Sequence, residues 1–401
     1  MSRPSVADVH AAQRRAAPWP YAELDLTGPA PHPVRDVVLK VHQRCNLACD
    51  YCYVYELADR SWRDRPAVMP DDVWQATLAA LGRHARRHGL DRLRVILHGG
   101  EPLLLGPRRL GEMAAQLRAA LPDGCRADIG VQSNGTQLSD TMVATLARHG
   151  IRAGISLDGV PADHDRHRVT HNGRGTSAAV AAGLRRLQAA PSAYAGVLCT
   201  VSPDTDPVAT YAYLREFEPP LIDFLLPHAN WTTPPAQRGH GDWLVAAFDA
   251  WYGDTAPPRV RLFDDLLDML FGGAGHSEQA GLSPIALAVI ETDGAIELVD
   301  SLKSAYDGAA RTGLDIRTDE LDDLLTDPGY AARQLGTDAL APACRACPVQ
   351  QICGGGHYVH RYRAGAGFRN PSVYCADMLQ LIGHIHTRVT ADLQRPIGAP
   401  S

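Results

Sequence analysis

Residues 37–52 read VVLKVHQRCNLACDYC, an apolar run that leads directly into three cysteines, Cys45, Cys49 and Cys52. Iron–sulfur clusters are normally held by four cysteine thiolates. Three cysteines without a fourth nearby therefore favour a four-iron cluster with one iron open to a ligand. The pair Cys49 and Cys52 alone would also fit a thioredoxin-type dithiol or a zinc site, but the third cysteine and the downstream motifs favour the cluster.

Length and composition predict one large α/β domain with a smaller appendage, because 401 residues exceed the size at which a single core stops growing. The net charge of −6 argues against a nucleic-acid partner, which needs a basic face. The sequence has neither a signal peptide nor a run of 18 apolar residues, so we expect a cytoplasmic protein with no membrane contact. In that compartment the nine cysteines favour metal ligation, catalysis or burial over disulfides.

A strand-and-helix rhythm runs from residue 37 to residue 252. The predicted strands are 37–41, 93–98, 128–132, 152–157, 196–201 and 221–226. The predicted helices are 71–88, 108–120, 140–149, 176–190, 207–217 and about 242–252. Short connections between such units favour an α/β fold with an incomplete parallel (β/α)6 barrel, and a doubly wound open sheet is the structural alternative.

The rhythm breaks near residue 253. Beyond it we expect a helix near 260–271, a β-hairpin of 287–290 and 296–299 turning at Asp293-Gly294, a helix near 318–336 and a final helix at about 375–394. The domain prediction is an N-terminal extension at 1–34, a partial barrel at 35–255, a linker helix region at 256–284, a small C-terminal domain at 285–395 and a tail at 396–401.

Unusual polar residues follow the predicted strands. In βα folds, ligands bind at the carboxyl ends of the strands. Each motif alone could be a turn, but all fall on one rim and together indicate a site. They are Cys45–Cys52, His98-Gly99-Gly100-Glu101-Pro102, Ser133-Asn134-Gly135-Thr136, Asp158-Gly159 and Pro227-His228.

The Cys45-x3-Cys49-x2-Cys52 motif, with Tyr51 before its last cysteine, resembles that of radical S-adenosylmethionine (SAM) enzymes. The resemblance implies a [4Fe–4S] cluster whose open iron chelates SAM, and a 5′-deoxyadenosyl radical formed by reductive cleavage. It also implies that Glu101 pairs with the SAM ammonium and that Arg168 holds the SAM carboxylate, with a surface ion pair as the alternative for Arg168. The implied SAM contacts are Tyr51, Gly99, Gly100, Glu101, Ser133, Asn134, Ser156, Asp158 and Arg168.

A second cysteine group, Cys344, Cys347, Cys353 and Cys375, supplies a complete four-thiolate set. It resembles a SPASM domain, the auxiliary-cluster module of peptide-modifying radical SAM enzymes, and a structural zinc ribbon is the alternative. Two places where such domains carry further cysteines hold Val299 and His357 here. His357 has no partner cysteines, so the resemblance implies one auxiliary [4Fe–4S] cluster. The remaining cysteines, Cys125 and Cys199, are expected to be small apolar residues.

Asp300 is the candidate general base. In SPASM-type sulfatase maturases, which the sequence resembles here, the acidic residue next to the cysteine corresponding to Val299 has that role. A carboxylate at the end of the hairpin that pairs with Lys303 is the alternative. His228, Asp223 and Asp165 are weaker candidates.

Longer stretches are similar to FxsB-type, cyclophane-forming radical SAM/SPASM peptide maturases. They are residues 39–42, 53–56, 223–228, 291–294, 300–303, 353–356 and 370–375. The resemblance implies that a β-carbon of a ribosomally synthesised precursor peptide is joined to an aromatic ring in a three-residue cyclophane. One electron then passes to the auxiliary cluster and one proton to Asp300. Its implied partners are the precursor peptide and an external one-electron donor such as flavodoxin or ferredoxin.

Three other functions compete with this interpretation. A sulfatase maturase or a thioether synthase would share the cofactors and change the product. A radical SAM methyltransferase would add a methyl group. A non-redox zinc protein would use the same cysteines without iron.

Overall fold

The computed structural model of the chain describes residues 23–26 and 31–394. Most of the predicted N-terminal extension at 1–34, and all of the predicted tail at 396–401, therefore lie outside the described residues. None of the helices within the described ranges is both long and apolar enough to cross a membrane.

Within the described ranges, ten strands form one sheet in the order β10-β9-β8-β1-β2-β3-β4-β5-β6-β7. Neighbouring strands from β8 through β7 pair in parallel, whereas β9 pairs antiparallel with β8 and β10. The strands are β1 Asp36–His42, β2 Arg92–Gly99, β3 Arg126–Ser133, β4 Ile151–Ser156, β5 Tyr194–Thr200, β6 Leu221–Leu225, β7 Arg259–Val260, β8 Leu287–Ile290, β9 Ala295–Glu297 and β10 Arg311–Asp315.

The order of β1 to β6 follows the chain without reversal. A doubly wound sheet reverses its order at a switch point, so the predicted α/β fold with an incomplete parallel barrel is confirmed and that alternative is wrong. The sequence analysis did not predict the short strands β7 and β10. β7 has only two residues and β10 contains a glycine, so neither shows a clear alternation of apolar and polar residues. Strands before and after residue 285 belong to the same sheet. The predicted domain boundary at that residue therefore divides the strands of one sheet.

The helices of the barrel are α1 Asp71–Arg87, α2 Gly106–Ala120, α3 Asp140–Arg148, α4 Pro161–His167, α5 Ser177–Gln188, α6 Pro207–Arg215 and α7 His240–Tyr252. Within the described residues, six of the seven barrel helices lie close to the predicted places, and the short helix α4 was not predicted. Local signals explain their bounds: the Ser139 hydroxyl accepts a hydrogen bond from the Met142 N–H and caps α3, and Asp71 opens α1 where an acidic side chain suits the helix dipole.

The remaining helices are α8 Arg261–Leu270, α9 Pro328–Ala332, α10 Pro342–Arg345, α11 Gln350–Cys353 and α12 Cys375–Leu393. Short 3-10 turns lie at Ser61–Arg63, Pro102–Leu105, Pro191–Ala193, Asp300–Ser304, Leu321–Thr326, Gly336–Ala339 and Tyr358–Arg361. The predicted single helix near 318–336 is wrong. Pro328, which cannot donate a backbone hydrogen bond, begins α9, and the Asp327 side chain caps it by accepting from Gly329 and Tyr330.

The predicted hairpin of β8 and β9 is confirmed, and buried charges hold it against the barrel. The Arg65 guanidinium contacts Glu291 (2.8 Å) and Glu297, and the Lys303 ammonium contacts Glu297 (2.9 Å) and Glu291. All four side chains are at most 5% exposed. Removing one partner of such a cluster leaves an uncompensated buried charge, which typically costs about 3–5 kcal/mol.

The loop after β2 lies directly on the loop after β1. Gly100 N–H donates to the His42 carbonyl (2.7 Å), and Glu101 N–H donates to the Arg44 carbonyl (3.0 Å). A Cβ at Gly100 would lie 2.5 Å from the backbone carbonyl oxygen of Arg44, so only glycine allows this approach.

We predict that Gly100→Ala lowers the free energy of unfolding by about 1–3 kcal/mol, because the added methyl group must displace backbone. Gly383→Ala is the matched control: Gly383 lies in α12 with open space around its Cβ position, and alanine there should be neutral or stabilising by up to about 1 kcal/mol. Urea-induced unfolding of both variants measures the difference. Equal stability of the two variants would contradict the close approach.

Candidate functional site

A cavity of about 320 Å³ opens at the carboxyl ends of the parallel strands. It brings together residues that lie up to 256 positions apart, from Cys45 to Ser301. All three cysteines of the first motif line it. The other predicted residues that line it are Tyr51, Gly99, Gly100, Ser133, Asn134, Ser156, Asp158, Arg168 and Asp300.

The three cysteines of the loop after β1 are free thiols. Cys45 Sγ accepts hydrogen bonds from the Leu47 N–H (3.4 Å) and the Asn134 side-chain amide (3.6 Å). Burial raises the pKa of Cys45 to about 12 and that of Cys49 to about 11, and it also raises the pKa of Cys52. Thiolates at this place therefore need a strong positive charge beside them, which an iron–sulfur cluster supplies.

Arg168 forms one wall of the cavity at the end of α4. Its Nη1 donates to the Tyr51 hydroxyl (2.7 Å), Tyr51 donates in turn to Asp158, and Asp158 accepts from the Thr200 N–H (2.9 Å). The Nε of Arg168 is buried and has no hydrogen-bond partner among the described residues. This orphaned donor suits a carboxylate ligand, which a guanidinium binds well. The alternative for Arg168 was a surface ion pair. Arg168 does lie 3.8 Å from Asp158 Oδ2, but it is only 8% exposed, so this pair is not at the surface.

Glu101 lies behind the cavity wall. Its fully buried carboxylate accepts hydrogen bonds from the Ser133 hydroxyl (2.8 Å), the Asn134 N–H (2.8 Å) and the Leu103 N–H (2.9 Å). These bonds join the loops after β2 and β3. In the structure, this carboxylate links the two loops through its hydrogen bonds. Pairing of Glu101 with the SAM ammonium stays a prediction.

Asp300 faces the cavity from the turn after β9. Its Oδ2 accepts from the Lys40 ammonium and from the Tyr53 hydroxyl (2.7 Å), and Lys40 Nζ also lies 3.1 Å from His98 Nδ1. The alternative prediction, that Asp300 pairs with Lys303, is wrong, because the Lys303 ammonium binds Glu291 and Glu297 instead.

Burial on its own would raise the pKa of Asp300, but the charge and the hydrogen bond of Lys40 hold that pKa well below its usual range. Burial, followed by the Lys40 charge, lowers the pKa of His98 to about 4. At neutral pH the site therefore contains an ionised carboxylate, an ammonium and a neutral imidazole.

Two of the three weaker base candidates do not line the cavity and bind other groups. Asp223 binds Arg261 (2.9 Å) and Gln279 (2.8 Å), away from the cavity lining, and Asp165 accepts from the backbone N–H groups that open α5. Of the three, only His228 lines the cavity.

Sequence reasoning placed His98 in a rim motif without giving it a role, and it missed Lys40 and Tyr53 as site residues. A lysine in the otherwise apolar run of β1, and a histidine at the end of β2, were the available signals.

The second cysteine group lines a separate cavity of about 270 Å³. Cys344, Cys347, Cys353 and Cys375 all contribute to its wall. Burial raises the pKa of Cys353 to about 11 and raises the pKa of Cys344 and Cys375. A four-thiolate metal site fits this donor set. Cys199 is buried in β5, and Cys125 lies beside β3, both outside the two groups.

Comparison with known proteins finds one matching family model and several relatives. The radical SAM superfamily model matches residues 39–206. The chain is 24% identical over 358 residues to the serine-type anaerobic sulfatase-maturating enzyme of Klebsiella aerogenes, covering 84% of this chain and 82% of that enzyme. It is 31% identical over 253 residues to the GTP 3′,8-cyclase of Xanthomonas axonopodis pv. citri, covering 58% of this chain and 70% of the cyclase.

A solved structure shares the fold. Native anSMEcpe with bound AdoMet and the Cp18Cys peptide superposes with a TM-score of 0.75 at 19% identity, covering 89% of this chain and 98% of that one. The sequence matches, together with three cysteines at the carboxyl ends of a parallel sheet, show that the chain belongs to the radical SAM superfamily, whose members use SAM and a [4Fe–4S] cluster.

Proposed function

We propose that this enzyme modifies a peptide, joining an aromatic side chain to a β-carbon within a ribosomally synthesised precursor by a C–C bond. The product is a three-residue cyclophane. The observation that carries the proposal is that the ionised carboxylate of Asp300 opens on the same cavity as the three cysteines and Arg168. The motif resemblance to cyclophane-forming maturases supports this choice of product.

The residues of the 320 Å³ cavity fit the cofactors that the superfamily uses. Cys45, Cys49 and Cys52 would hold three irons, and the free Nε of Arg168 would bind the SAM carboxylate. When bound, SAM and the cluster supply a 5′-deoxyadenosyl radical that removes one hydrogen atom from the substrate. The protein itself would hold the substrate carbon in the cavity beside the radical and exclude water.

Asp300 would then accept a proton. Restoring the aromaticity of a ring that has been attacked by a carbon radical requires the loss of one proton and one electron. The Oδ atoms of Asp300 are ionised at neutral pH and face the cavity, so they are placed to take the proton. Lys40 and Tyr53 fix the orientation of the carboxylate through their hydrogen bonds.

Cys344, Cys347, Cys353 and Cys375 would hold the auxiliary [4Fe–4S] cluster. Their cavity is separate from the cavity of the first motif, and four thiolates leave no iron open for a substrate. An external one-electron donor such as flavodoxin or ferredoxin completes the proposed set of partners.

Oxidation of a serine or cysteine to formylglycine is the second candidate. It is favoured by the similarity to the sulfatase-maturating enzyme of Klebsiella aerogenes. The same Asp300 would accept the proton, so the two candidates differ in substrate and product and share the residues of the cavity.

Co-expression with the precursor encoded by the short open reading frame beside the gene tests the function. We expect a peptide that loses two hydrogen atoms, resists fragmentation between the joined residues and does not react with hydroxylamine. Conversion of serine to formylglycine also removes two hydrogen atoms, but it leaves an aldehyde that hydroxylamine traps. A trapped aldehyde would overturn cyclophane formation in favour of the second candidate.

Asp300→Asn should lower the rate of cross-linking by at least about 10²-fold while cleavage of SAM to 5′-deoxyadenosine continues, because the proton acceptor is lost and the cysteines and Arg168 remain. The pKa of Asp300 lies below its ordinary value of about 3.9, so the carboxylate stays ionised between about pH 5 and pH 8. We therefore expect that protonation of Asp300 does not lower the wild-type activity in this pH range. Chromatographic measurement of both products checks this. Equal loss of both products in the variant would contradict the role of a base.

Cys49→Ala should abolish SAM cleavage and remove about four irons per chain, because one thiolate of the open cluster is lost. Cys125→Ala is the matched control, since Cys125 lies outside both cysteine groups. Iron and sulfide analysis of anaerobically reconstituted protein measures the change. Iron content and SAM cleavage that match those of the control variant would contradict the cluster assignment.

Arg168→Gln should weaken SAM binding by about 10- to 100-fold, because a charge-assisted hydrogen bond contributes about 1.5–3 kcal/mol. Arg166→Gln is the control: Arg166 belongs to the same helix, is 44% exposed and pairs only with the neighbouring Asp163. Equilibrium binding of SAM to reconstituted protein measures both. Equal affinities in the two variants would contradict the proposed contact.

A further inference from the structure

Three histidines from distant parts of the chain meet beside the cavity of the first cysteine motif. His228 follows β6, whereas His357 and His360 belong to the segment after α11. Their ring centroids lie 5.0 to 6.4 Å apart, and one ring nitrogen of each lies within 4.8 Å of the others. Three imidazoles at such distances can share one metal ion.

Two nitrogens in this cluster are buried without a hydrogen-bond partner among the described residues: His228 Nδ1 and His360 Nε2. His360 also bonds to the backbone carbonyl of Pro227, and since its Nε2 is unpartnered the donor is Nδ1. This leaves a lone pair on His360 Nε2. A histidine that donates one ring N–H to a carbonyl and keeps the other nitrogen free is typical of metal ligands.

His357 completes the cluster. Its Nδ1 accepts a long hydrogen bond from the Val359 N–H (3.4 Å), and its Nε2 lies 3.7 Å from Glu278 Oε2. Glu278 in turn pairs with Arg333 (2.6 Å). A carboxylate therefore lies at the edge of the cluster, within reach as a fourth ligand.

Burial lowers the pKa of His228, His357 and His360. The neutral imidazole is the form that ligates a metal. Unpaired polar nitrogens in a buried place cost free energy, and a cation bound to them would remove that cost.

Hydrogen bonds between the two segments keep the cluster together. The Tyr374 hydroxyl donates to the Pro227 carbonyl (3.1 Å), and the backbone N–H of Trp231 donates to the Tyr362 carbonyl (2.9 Å). A cavity of about 860 Å³ reaches all three histidines and Glu278, so an ion has a path from outside.

We propose that His228, His357 and His360 bind one divalent transition-metal cation of the zinc type, at a site separate from both cysteine groups. Imidazole ligands suit such cations. The site fastens the loop after β6 to the C-terminal segment, and it does not depend on the proposed function. His357 had no partner cysteines in the sequence, and the tertiary structure supplies histidine partners instead.

Metal analysis of the reconstituted full-length chain, dialysed against Zn²⁺ and then against metal-free buffer, tests the proposal. We expect about one zinc per chain, bound by nitrogen and oxygen atoms at about 2.0–2.1 Å in zinc-edge X-ray absorption. Zinc in a cysteine site would instead show sulfur at about 2.3 Å. Wild-type protein without zinc, or with only sulfur around the zinc, would overturn the proposal even if no variant folds.

His228→Ala and His360→Ala should each lower the zinc content to below about a tenth of an equivalent, with iron and sulfide unchanged. His386→Ala is the matched control, because His386 is exposed on α12 and does not belong to the histidine cluster. It should keep the full zinc content. Retention of zinc in both cluster variants would contradict the assignment.

Discussion

Parallel pairing of β1 with β2 on one side and β8 on the other is the constraint on which the site depends. Parallel strands place all their carboxyl ends at one edge, so the loops after β1 and β2 meet there. The register pairs Lys40 with His98 and Leu39 with Ile290. The same hydrogen bonds that satisfy the backbone therefore bring the cysteine loop, the glycine loop and the hairpin before Asp300 together.

Buried charge links stability to chemistry in this arrangement. Lys40 is 1% exposed, and its ammonium is compensated by Asp300 across 260 positions of sequence. An unpaired ammonium at such a place is strongly unfavourable, so the pair fixes the C-terminal part against the barrel. The pair also keeps Asp300 ionised, which suits an acceptor of protons that become acidic in a radical reaction.

Burial has opposite consequences for the two kinds of group that we propose as metal ligands. It keeps the cysteine thiols protonated, so both cysteine sites need the positive charge of a metal before they carry thiolates. It lowers the pKa of the histidines, and it leaves a nitrogen of His228 and a nitrogen of His360 without a hydrogen-bond partner among the described residues.

Local patterns determined the parallel fold, the helix bounds and the motifs at the strand ends, because hydrophobic periodicity, Ser139 as a cap and the cysteine spacing are properties of neighbouring residues. Pro328 showed the limit of periodicity, since it interrupted an expected helix. Only the tertiary structure decided the partner of Asp300, the place of Glu101 behind the cavity wall and the meeting of His228 with His357 and His360. Those contacts join segments more than thirty residues apart, and their geometry follows from sheet register and docking, which no local pattern encodes.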